Sequence, residues 1–139
     1  MDFLLERIRL ATTIPANLSK NRHHHALLVT FCNTQLPGHV VYGYGNQPRG
    51  GIYLNPKKSV ESTSHLLHCG IRFGEAEHYR GNNSRFGFIR GNIPVIIRKI
   101  YKIQLETPDE IQHSFVCALV QRFRRTPEEV IFPWALWCV

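Results

Sequence analysis

The run Ile93-Pro94-Val95-Ile96-Ile97-Arg98-Lys99-Ile100-Tyr101-Lys102-Ile103-Gln104-Leu105 constrains the fold more than any other part of the chain. Its β-branched and aromatic content, with no glycine to interrupt it, is the composition of a strand. At a period of two, Ile97, Lys99, Tyr101 and Ile103 share one face, and Ile96, Arg98, Ile100, Lys102 and Gln104 share the other. One face is therefore largely apolar and the other mixed. Such a strand needs a sheet around it, and 139 residues suffice for one domain built from packed layers.

The rest of the chain supplies the candidate partners. Residues 2–10 fit a short helix or a strand equally. Apolar runs at 26–31, 39–44 and 52–54, separated by turn residues, read as three strands. Val60, Leu66 and Leu67 have the spacing of one or two helical turns within 59–69. Residues 74–91 read as a long loop with a short strand at 86–89. The spacing predicts a helix over 108–124: Thr107 caps it, Pro108 takes its first position, Asp109 and Glu110 suit its start, and Ile111, Phe115, Leu119 and Phe123 form a stripe. His113 and Cys117 would stand one turn apart on its other side. The apolar segment from Glu129 to Val139 reads as a buried terminal strand bent at Pro133. The expected fold is α+β, a single domain over residues 1–139. It has a mixed or antiparallel sheet of about five or six strands packed with two or three helices.

Composition narrows the function classes. Hydrophobic content of 43% with 19% charged residues excludes disordered and collagen-like chains. No apolar run reaches the roughly 18–20 residues of a membrane span, and Asp2, Glu6, Arg7 and Arg9 are unlike a signal peptide. An intracellular protein, cytoplasmic or nuclear, is expected. Seventeen basic against ten acidic residues give a net charge of +7, which attracts phosphate. Cys32, Cys69, Cys117 and Cys138 lack the close pairs of zinc or redox motifs and read as buried apolar side chains. His65, His68 and Cys69, or His113 and Cys117, make half a zinc site each, so no metal is expected. The run His23-His24-His25 suits a solvated segment, a phosphate contact or a metal ligand.

Three places gather chemistry. Arg49 with the backbone of Gly50 and Gly51 could meet a phosphate or carboxylate before Tyr53. Glu128 and Glu129 precede an apolar strand, where a carboxylate can enter a cleft. The basic stretch 72–102 carries Arg80, Arg85, Arg90, Arg98, Lys99 and Lys102 among aromatics that include Phe86 and Phe88. That mixture suits single-stranded nucleic acid or RNA.

The phrase Arg49-Gly50-Gly51-Ile52-Tyr53-Leu54, with Ser59 after it, resembles a block of the PARP-like ADP-ribosyltransferases, and Pro127 to Phe132 is similar to their glutamate-bearing strand. Leu10 to Asn17 resembles the family's NAD-holding segment, with Leu10 and Ala11 in place of its histidine and glycine. The resemblance implies that NAD is bound, that Tyr53 stacks on nicotinamide, and that Glu128 or Glu129 is catalytic. It also implies that Arg49, Gly50, Gly51 and Ser59 line the NAD site, with His24 or His25 in the missing imidazole's role. The acceptor would be a protein or a nucleic acid. Two alternatives remain beside it: a basic nucleic-acid-binding module without catalysis, and a His/Cys enzyme. The second is suggested because the hairpin from His25 to Tyr42 and the later segment with His113 and Cys117 are similar in order to the permuted NlpC/P60-like fold.

Overall fold

A computed structural model describes residues 8–43, 50–68, 71–74, 86–89, 93–122, 127–131 and 137–138. Strands β1 (Ile8–Leu10) and β2 (Ile14–Pro15) lead through a 3-10 turn at Leu18–Lys20 into helix α1 (Arg22–Gln35). Asn21 caps that helix by accepting from the His24 amide at 3.1 Å. Its buried residues, His25, Leu28, Phe31 and Cys32, recur at helical spacing. The strand expected at 26–31 is thus the middle of a helix, and Val29 and Thr30 overstated its β character.

After α1 come β3 (Val41–Tyr42) and β4 (Ile52–Tyr53), which pair in parallel as a separate two-stranded sheet. The Asn33 side-chain amide pins β3 to the helix: its Nδ2 donates to the Val41 carbonyl, and its Oδ1 accepts from the Val41 amide, both at 2.9 Å. The next stretch, expected as helix over 59–69, forms β5 (Val60–Thr63) and β6 (His65–His68) instead. A bend at Ser64 moves the chain from one sheet to another, and β1 and β2 cross beside it in the same way. That corner breaks the two-residue period and leaves apolar residues at spacings that also fit a helix.

The remaining strands are β7 (Ile71–Gly74), β8 (Phe86–Ile89), β9 (Ile93–Glu106), β10 (Gln112–Arg122), β11 (Glu128–Ile131) and β12 (Trp137–Cys138). The central antiparallel sheet runs β11-β10-β9-β5-β2, with β8 and β12 extending the early half of β9. The partner of β9 is the expected second helix. Residues 112–122 form strand β10, and Thr107-Pro108-Asp109-Glu110 is the hairpin turn before it. Glu110 N donates to Thr107 O at 2.9 Å, the Thr107 hydroxyl donates to Asp109, and Glu110 takes a left-handed φ of 65°. Proline second and aspartate third fit a type I turn as well as a helix start. A stripe every four residues is equally a stripe every two.

The layers follow. Helix α1, β3 and β4 cover one face of the central sheet, burying Leu28, Cys32, Ile52 and Leu54 against Tyr101, Ile103, Leu105, Cys117 and Leu119. The small sheet β1-β6-β7 covers the other, burying Leu66 and Phe73 against Val95, Ile97, Ile100, Ala118 and Val120. The protein is α+β as expected; one α-helix, not two or three, lies among the described residues. No described helix is long and apolar enough to cross a membrane.

The expected face assignment of β9 changes midway. Leu119 pairs with Lys99, but its neighbour Val120 pairs with Ile97, leaving Arg98 as an extra residue in β9. This β-bulge puts Ile97 and Ile100 on the same face, and Arg98 and Lys99 together on the opposite one.

Candidate functional site

The bulge creates the floor of an open cleft of about 440 Å3, lined by Asn21, His24, Arg98, Lys99, Gln121 and Glu128. Each lining residue is placed by an element already described. Asn21 and His24 come from the first turn of α1, Arg98 and Lys99 from the bulge, and Gln121 from β10. Its cross-strand partner on β11 is Glu128. Arg98 is held by the Gln121 side chain, whose Oε1 accepts from Nε at 3.0 Å and from a terminal nitrogen at 2.7 Å.

His24 has a partner at each ring nitrogen. Its Nδ1 lies 2.8 Å from the Tyr101 hydroxyl, and its Nε2 lies 3.5 Å from Glu128 Oε1. The His23 ring approaches the same oxygen at 3.8 Å from a more exposed position. Burial holds the His24 imidazole below the ordinary histidine value; Glu128 pulls it upward, while His23 and Lys99 push it further down. His24 is therefore neutral at pH 7.

Alternation along β11 separates the two candidate carboxylates. Glu128 and Val130 face the helix side of the sheet, opposite Gln121 and Leu119. Glu129 faces the other side, where Arg122 donates to it from Nε at 2.9 Å and from a terminal nitrogen at 3.1 Å. Of the pair, only Glu128 lines the cleft.

The other candidate residues lie elsewhere. Tyr53 is 45% exposed on β4, with its ring 5.3 Å from that of Tyr42. β4 pairs with β3 and β11 with β10, so Tyr53 and the glutamates are not on neighbouring strands. Gly50 takes a left-handed φ of 68°, which explains a glycine there without a ligand. Gly51 follows it directly into β4. The Ser59 hydroxyl accepts from the Asn55 amide at 3.0 Å and holds the turn after β4. His25 is buried, with Nε2 at 2.8 Å from the Leu54 carbonyl, and fastens α1 to β4. Gly43 is required beside it: a Cβ there would sit 2.6 Å from the His25 ring.

Among the basic candidates, Arg98 and Lys99 face the cleft. Lys102 pairs across the sheet with Glu61 and Val116 and lies on the far side, so these three do not form one surface. Phe86 and Phe88 belong to β8 by their backbone. Arg49, Arg80, Arg85 and Arg90 lie outside the described residues. Cys117 sits on a strand, not at a helix start, and is fully buried beside Cys32. Burial, with Cys32 adding to it, raises its thiol well above the usual value, the reverse of an activated nucleophile. Four strand residues also place it roughly 13 Å from His113 along β10, too far to share a metal. No group of three or more His, Cys, Asp or Glu side chains among the described residues could hold a metal ion.

Asn21, Tyr101 and Gln121 were not among the sequence-derived site residues. Asn21 could have been found as a helix cap, whereas Tyr101 and Gln121 become site residues only through the register of β9 and β10. Compared with known proteins, the chain matches no family model, no curated protein and no solved structure.

Proposed function

We propose that the cleft binds NAD and that the protein is an ADP-ribosyltransferase-like domain in which Glu128 is the catalytic carboxylate. One observation carries the reading: among the described residues that line the cleft, one carboxylate, Glu128, stands with two cationic side chains, Arg98 and Lys99. A site for a plain polyanion is harmed by a carboxylate. NAD joins a pyrophosphate to a cationic nicotinamide ribose, and it calls for both charges. Arg98 and Lys99 bind the pyrophosphate. The carboxylate of Glu128 stabilises positive charge at the ribose carbon as the bond to nicotinamide lengthens. The cleft volume, about 440 Å3, falls within the range of small-molecule sites and takes the pyrophosphate with one ribose. Tyr53, which the family resemblance assigns to nicotinamide stacking, has no part in this reading.

Calorimetry with NAD and with a single-stranded RNA, followed by an NAD-hydrolysis assay, tests it. The expected result is NAD binding that weakens about tenfold or more in the double variant Arg98→Ala, Lys99→Ala. Glu128→Gln should bind NAD and lose about a hundredfold or more of the hydrolysis. Binding of the RNA with no binding of millimolar NAD would overturn the proposal in favour of a nucleic-acid-binding module, which the net charge of +7 independently suits.

A further inference from the structure

The arrangement around Glu128 contains more order than a cleft carboxylate needs. Carboxylate oxygens only accept hydrogen bonds, so a neutral His24 facing Glu128 must carry its hydrogen on Nε2. Nδ1 is then an acceptor, and the Tyr101 hydroxyl, 2.8 Å away, is its donor. The Tyr101 ring meets the imidazole nearly edge-on, at 75° and 6.2 Å, and is itself only 3% exposed in the core. A buried strand residue thus holds the tilt of a helix residue, and Glu128 selects its tautomer. Both imidazole approaches, from His24 at 3.5 Å and from His23 at 3.8 Å, fall on the same oxygen, Oε1.

We propose that Tyr101 and His24 are positioning residues that hold Glu128 by Oε1 and present Oε2 to the ligand. Neutrality matters to this role. An imidazolium would cancel the charge of Glu128, whereas a neutral donor orients the carboxylate and leaves its charge available to a cationic ribose. The charged and titratable groups around His24 come from every packed element: His23 on α1, Arg98, Lys99 and Tyr101 on β9, and Glu128 on β11. Burial, His23 and Lys99 oppose protonation of His24, and Glu128 favours it. Falling pH protonates Nδ1, turns the Tyr101 hydroxyl from donor to acceptor, and sets a positive charge against Glu128. The catalytic consequence rests on the NAD reading; the hydrogen-bond pattern does not.

Long-range proton–nitrogen spectra of histidine-labelled protein test the pattern directly. The expected spectrum shows His24 protonated on Nε2 and bare on Nδ1. Tyr101→Phe, which keeps the ring, should remove the hydrogen bond at Nδ1 and move that nitrogen's resonance toward the value of an unbonded, bare imidazole nitrogen. A hydrogen on Nδ1 in the wild type, or an Nδ1 resonance that does not move in the variant, overturns the proposal. His24→Gln and His24→Asn test the consequence, since glutamine can place a donor where Nε2 stands and asparagine is too short. NAD hydrolysis should stay within about threefold in the first and fall about tenfold or more in the second. Equal losses in two variants with native circular dichroism would refute the positioning role. Wild-type protein that neither binds nor hydrolyses NAD would defeat the NAD reading, while the spectra would still decide the hydrogen-bond pattern.

Discussion

Deleting one residue from the middle of a core strand normally reverses every side chain beyond it, yet Arg98 should be removable. Val95 and Ile97 face the small sheet, Ile96 and Lys99 face the cleft side, and Ile100 faces the small sheet again. Without Arg98, Ile97 and Lys99 become consecutive and alternate correctly, and their partners Val120 and Leu119 are already consecutive. On the other edge, β8 pairs only up to Ile96 and β5 only from Ile100, so no second ladder has to slip. The deletion loses the two hydrogen bonds to Gln121, worth roughly 1–3 kcal/mol together, and regains a regular ladder. The expected net cost is below about 2 kcal/mol. Deletion of Lys102, four residues on, has no such escape. Its cheapest accommodation turns Ile103 and Leu105, 0% and 2% exposed, out of the core. At about 1.5–3 kcal/mol each, this costs roughly 3–6 kcal/mol. A chain of 139 residues is stable by roughly 7–20 kcal/mol, so both losses are measurable. Urea unfolding followed by circular dichroism compares the two proteins. If removing Arg98 costs as much as removing Lys102, the assignment of the bulge is wrong.

Gly43→Ala should destabilise by about 1–3 kcal/mol in the same assay, since the new methyl would meet the His25 ring at 2.6 Å and Val29 at 3.0 Å; an unaffected variant would mean that β3 lies further from α1. The His24 imidazole is held below the ordinary value of 6.5 in the folded protein, so the unfolded chain binds the extra proton first. Its contribution to stability is complete above about pH 6.5 and declines as pH falls below it; His24→Gln should flatten that part of the urea-midpoint curve, and an unchanged curve would show that other groups set it. Burial raises the Cys32 thiol to about 12 and pushes Cys117 up as well, so alkylation at pH 8, mapped by mass spectrometry, should reach both only in denaturant. Rapid labelling of either in the native protein would contradict their burial.

Legibility in the sequence varied with how far each element depends on its neighbours. The strand at 93–106 was visible because a run of β-branched residues can hardly be anything else. The segment 108–124 carries the sequence marks of a helix because its capping residues are also turn residues, and a period of four is a multiple of two. Helix α1 was hidden by Val29 and Thr30, although Asn21 and the spacing of Leu28, Cys32 and Leu36 marked it. Within the site, Glu128, His24, Arg98 and Lys99 were each recognised as chemically able groups. What brought them together was not legible. A bulge depends on the pairing of two strands, and no single segment encodes it. The choice between Glu128 and Glu129 likewise needed the register of β11.

The most direct measurement is an amide chemical-shift map of the labelled protein titrated with NAD. The expected perturbations cluster at Asn21, His24, Arg98, Lys99, Gln121 and Glu128, the residues that line the cleft. Saturable shifts centred on Tyr42 and Tyr53, with the cleft silent, would contradict the assignment of the site, and no shifts at millimolar NAD would contradict the proposed function.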